Sequence, residues 1–117
     1  MPTISQVKSI TISDGATASS WLEASPGYYV QSIKIPSTID GTEFTIEEDW
    51  DGEGDGSGIY NTGTVSTDAE QLTIKYGADR TIKFCPQDLF ATNRIRFISD
   101  VAQAQDVVIS VRLETLA

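Results

Sequence analysis

The segment Glu47-Glu48-Asp49-Trp50-Asp51-Gly52-Glu53-Gly54-Asp55-Gly56-Ser57-Gly58 is the densest collection of chemically capable side chains in the sequence. Calcium takes six to eight oxygen ligands, and acids alternating with glycines can wrap such an ion. Asp51, Glu53, Asp55 and Gly56 match the opening of an EF-hand loop. The match then fails, because the twelfth position is Thr62 where a bidentate Glu belongs, and no helices are expected to flank it. A simple calcium loop therefore ranks behind a solvated hairpin tip, in which glycines permit positive φ and acids deter edge-to-edge association. No metal and no other cofactor is assigned. Paired carboxylates also serve glycoside hydrolysis, but only across a cleft that tunes one of them upward. Glu47, Glu48 and Asp49 fall at a predicted loop with no cleft around it.

The remaining catalytic options close quickly. The chain has no histidine, which removes the commonest general base and every Ser-His or Cys-His nucleophile pair. Cys85 is the single cysteine, so no intrachain disulfide forms and nothing activates the thiol; it reads as a small, partly buried residue near a strand end. Neither a phosphate-cradling loop followed by Lys-Ser/Thr nor a dinucleotide fingerprint is present. No catalytic residue is assigned, and the chain is not expected to be an enzyme. What remains is contact. Trp50 in the acidic tip, and Trp21 with Leu22 in the Ser/Ala/Thr-rich stretch 13–25, are the candidate partner-contact residues. As a second reading Trp50 could stack on a sugar, with one of the tyrosines extending the platform, or it could fold back on the sheet. The 13–25 stretch suits a loop over the chain's own body with Trp21 as a plug, or an arm onto a neighbouring subunit.

The elements that must position these residues are strands. Ile, Val and Thr number 33 together, against 15 for Leu, Ala and Met, and stiff β-branched side chains fit a pleated surface better than a helix. Period-two alternation predicts eight strands, near 4–12, 28–35, 42–48, 58–65, 70–76, 80–85, 93–99 and 106–114. Tyr29, Gln31, Ile33 and Ile35 read as one face of the second. Asp-Gly and Pro-Gly pairs punctuate the runs. One short helical turn is expected at Pro86-Gln87-Asp88-Leu89-Phe90. No helix is long enough for crossovers, so the expected fold is all-β: an antiparallel β-sandwich of jelly-roll type, with a closed barrel as its main rival. The 117 residues suit a single domain, 1–117. Arg94, Arg96 and Arg112 fall on outward faces, where cross-strand pairing with acids is expected.

Charge narrows the partners. The net charge is -9, and no base lies between Lys34 and Lys75 while ten acids do. Such a surface repels phosphate backbones, so nucleic-acid binding is disfavoured. No apolar stretch approaches the roughly 20 residues needed to cross a bilayer, so no membrane association is expected. The start, MPTISQVKSI, does not read as a signal peptide.

The order of motifs from Tyr28 to Glu114 resembles the small β-sandwich (jelly-roll-like) virion structural and decoration proteins of tailed bacteriophages. The residues that carry the likeness are Ile33-Lys34-Ile35-Pro36, Thr42-Glu43-Phe44-Thr45-Ile46, the run Ile82 to Phe90 with its Pro-x-x-Phe-like turn, the Arg-rich Asn93 to Ser99, and Val107 to Leu113. The acidic tip is longer and richer in glycine than that pattern, and the 13–25 stretch has no counterpart in it. The resemblance implies a virion structural role, foremost a capsid decoration (cement) protein bridging capsid subunits. Its partner would then be the major capsid protein or another virion protein, its state a homo-oligomer, and its place the capsid surface after assembly in the host cytoplasm. A carbohydrate- or receptor-binding module of a head fibre or tail is the alternative.

Overall fold

The computed structural model of the chain describes residues 5–24, 27–50, 52–59, 72–84 and 94–115. The expected helical turn at 86–90, Cys85, Asp51, Tyr60 and most of the strand expected at 58–65 lie outside them. The described residues form nine strands: β1 (Ser5–Ile12), β2 (Leu22–Glu23), β3 (Tyr28–Lys34), β4 (Glu43–Asp49), β5 (Gly56–Gly58), β6 (Thr73–Lys75), β7 (Thr81–Lys83), β8 (Arg94–Ser99) and β9 (Val107–Thr115). Every pairing is antiparallel. The described residues contain no helix, and so none long and apolar enough to cross a membrane.

One sheet runs β1-β9-β3-β7 and the other β2-β8-β4. The far edge of β4 is shared, by β5 opposite Glu47–Asp49 and by β6 opposite Glu43–Thr45. Counting that shared edge as one strand leaves eight. Their neighbours then read first-eighth-third-sixth in one layer and second-seventh-fourth-fifth in the other. This is jelly-roll connectivity, two Greek keys folded face to face.

Alternation fills the space between the layers. Ile10, Ile12, Val107, Ile109, Val111 and Leu113 point inward from β1 and β9, and Phe44, Ile46, Ile95 and Phe97 point back from β4 and β8. Phe44 stacks on Tyr76 at 4.0 Å between ring centroids and lies 5.6 Å from Phe97. Burial of this kind stabilises by roughly 25 cal/mol for each Å² of apolar surface removed from water.

Two departures from simple alternation have identifiable causes. In β3 the register against β9 slips between Val30 and Ser32, so Gln31 is the extra residue of a β-bulge. The bulge reverses parity: Val30, Ile33 and Ile35 are core residues, whereas Tyr29 and Gln31 do not share their face. The Gln31 carbonyl is not wasted, since the Phe84 N–H donates to it at 2.9 Å.

The second departure is the stretch after β1, which folds onto its own sandwich. Ile12 bridges Ser19, and Ala18 bridges Ile98. The Ser19 N–H donates to the Phe97 carbonyl and the Ser20 N–H to the Thr11 carbonyl, both at 2.9 Å. Residues 18–20 thus bond to β1 of one sheet and β8 of the other, joining the two layers at one corner before β2 continues along β8.

Candidate functional site

The outward face of the β2-β8-β4-β5 sheet gathers the polar residues that the sequence analysis singled out. Register places Glu23 opposite Arg94 and Glu47 opposite Arg96. Arg96 Nε donates to Glu47 Oε1 at 2.7 Å, with Nη2 2.6 Å from the same oxygen. Arg94 Nη1 donates to Asp49 Oδ2 at 2.6 Å, and its Nε lies 3.3 Å from Glu23 Oε1. Trp21 lies across both guanidinium groups, its ring centroid 4.5 Å from Arg96 Cζ and 5.3 Å from Arg94 Cζ. Cation–π contacts of this kind contribute about 0.5–1 kcal/mol where solvent reaches them. The arginines are held from two sides, by carboxylates from β4 and β2 and by an indole from the residue just before β2.

Glycine in β5 makes room for this arrangement. A Cβ on Gly56 would stand 2.1 Å from Glu47 Oε1 and 3.0 Å from Arg96 Nη2. The Gly-Ser-Gly strand is therefore matched to its neighbour's ion pair. Asp49 has a second task. Its side chain is 0% exposed, and both carboxylate oxygens accept the Gly54 N–H at 3.1 Å. It pins the hairpin tip, where Gly52 and Gly54 adopt φ of 78° and 85°.

The three contact candidates thus have three different environments. Trp50, one residue beyond Asp49, is 82% exposed. Trp21 is half-buried against the chain's own arginines. Leu22 is 3% exposed and belongs to the core cluster. Pairing of β2 with β8 sets Leu22 opposite inward-facing Ile95, and alternation leaves Trp21 and Glu23 outside. Asp49 is likewise committed to Arg94 and Gly54. Among the described residues no group of three or more His, Cys, Asp or Glu side chains is disposed to hold a metal ion.

At one end of the sandwich, loops are tied by polar groups that the sequence analysis missed. Gln103 is 2% exposed. Its Oε1 accepts the Asp40 N–H at 2.8 Å, and its Nε2 donates to the Asp40 carbonyl at 2.9 Å and to Ser99 Oγ at 3.2 Å. Tyr76 also donates its hydroxyl to the Asp40 carbonyl. Burial, with Asp100 nearby, pushes the Tyr76 phenol up from 10.0 to about 12. Asp100 itself accepts the Thr42 N–H at 3.0 Å, a bond that holds its carboxyl below the usual range. Nothing local marks Gln103: it stands between Ala102 and Ala104, with Gln105 close by, in a stretch that reads as an ordinary loop.

The same fold occurs in the crystal structure of the SPBc2 prophage-derived protein YomS. The two superpose with a TM-score of 0.56 at 15% sequence identity, over 98% of each chain. No protein-family model matches this chain, and no curated protein does.

Proposed function

We propose that this chain is a bacteriophage virion structural protein that acts by contact, foremost as a decoration protein bridging neighbouring capsid subunits as an oligomer. The observation that carries this reading is the division of labour on one sheet. Its charged residues Arg94, Arg96, Glu47 and Asp49 are engaged with one another, while Trp50 beside them stands out in solvent. Interfaces concentrate their energy in a few such aromatic anchors. The likeness to a prophage-derived protein supports the phage setting. A jelly roll gives a rigid body on which tips and loops make the contacts.

The test is occupancy of undecorated particles by purified protein. Trp50→Ala should weaken binding by about 2 kcal/mol, roughly 30-fold, and unchanged occupancy removes Trp50 from the interface. Trp21→Ala is read separately in the same assay. The exposed indole also suits a sugar face, the second reading. A glycan array probed with wild type and Trp50→Ala distinguishes the two, and silence across the array disposes of sugar binding.

A further inference from the structure

We infer that the acidic hairpin tip of one copy docks into a basic groove on the β1-β9-β3-β7 sheet of a second copy, giving head-to-tail self-association. The inference deepens the oligomer named above and would occupy Trp50 between copies rather than against the capsid. It is tested without capsids, and the Lys83→Glu/Arg112→Glu variant, which keeps Trp50, separates the two readings in the occupancy assay. The groove has a volume of about 340 Å³ and lies on the outward face of that sheet. Its construction follows from register. One cross-strand row reads Val7, Arg112, Ser32, Lys83, and the next carries Ser110 beside Lys34. Small serines form the floor between long cationic walls. Among the described residues Lys34, Lys83 and Arg112 have no ion-pair partner, in a chain whose net charge is -9. Val7, 65% exposed, supplies an apolar edge.

The occupant is argued from charge and shape. Two basic faces repel each other, and so do two acidic tips, which disfavours a two-fold contact through either surface. Tip into groove is complementary. The tip carries Trp50 and Asp55, both exposed. Its indole suits a slot with an apolar edge and cations able to sit over its face, while the carboxylate meets the lysines. The tip belongs to the opposite layer from the groove, so the contact is between molecules. A heterologous contact of this kind closes into a ring or runs on as a filament, according to the rotation between copies.

Sedimentation of the full chain at low salt across a concentration series tests the inference. Wild type should form species larger than a monomer that dissociate as salt is raised. Trp50→Ala and the double variant Lys83→Glu/Arg112→Glu should each self-associate at least roughly tenfold more weakly. All substituted side chains lie at the surface, and unchanged circular dichroism confirms folding. The deciding arm is a mixture of the two variants, in which one intact tip can meet one intact groove. It should form a one-to-one dimer and nothing larger. Monomeric wild type, unaffected variants, or a mixture that stays monomeric would each overturn the inference.

Discussion

At Gly56 the side chain that is missing matters as much as those present. Its backbone lies where any Cβ would strike the Glu47 carboxylate, so Gly56→Ala should displace that carboxylate from Arg96 and cost about 1 kcal/mol, the upper range for a partly exposed pair. Urea unfolding checks this. With Glu47→Ala already in place the same substitution should cost almost nothing, because the two residues share one interaction. Gln103 stands in a more costly position. Gln103→Leu removes the acceptor of the Asp40 N–H and one of the two donors to its carbonyl, Tyr76 being the other, and about 1–2 kcal/mol of stability should be lost. Tyr76 gives a pH signature. Its folded-state pKa lies above the unfolded one, so between 10.0 and about 12 the native state holds the proton that the unfolded chain has released. Its contribution is therefore complete below pH 10 and falls as pH rises through that window. Denaturation midpoints across the range should show the loss, and Tyr76→Phe should abolish this component. Asp100 works in the opposite sense. Its depressed pKa makes its contribution present above the ordinary carboxylate range and lost as pH falls below it.

At the scale of elements, alternation of β-branched and aromatic residues exposed most of the strands. The long run Val107 to Leu113 became β9, the strand paired on both sides by β1 and β3. Hydrogen exchange should find its central amides the slowest in the molecule and those of Gly56–Gly58, in an exposed edge strand, among the fastest. Two features escaped the pattern for physical reasons. The bulge at Gln31 is a matter of register against β9, and one strand's own sequence carries no record of a partner's register. β2 has only two residues, and its existence depends on bonds to β8 that composition cannot reveal. The same limit applied to Leu22, whose place in the core follows from that pairing. Alternation did place Arg94 and Arg96 outward, yet the identity of their partners needed the β4-β8 register.

For the molecule as a whole, an all-β sandwich was legible from eight regularly spaced runs, but the order of strands within each layer was not. Jelly-roll connectivity brings the first strand beside the last, and such long-range pairing is decided by which faces bury together. The charge total was likewise readable, but its geography was not. Only the folded chain shows three cations grouped on one layer's outer face and acids projected from the opposite layer's tip.

The seam formed by residues 18–20 has a consequence for how such a body can grow. Backbone groups that would elsewhere lie open on the margins of β1 and β8 are there already satisfied by Ser19 and Ser20. An incoming polypeptide finds no free template at the Thr11–Ile12 end of β1 or at Phe97–Ile98 of β8, and cannot add a strand at that point. Recruitment at that corner must proceed through side chains, and association through side chains can be reversed without unravelling the molecule.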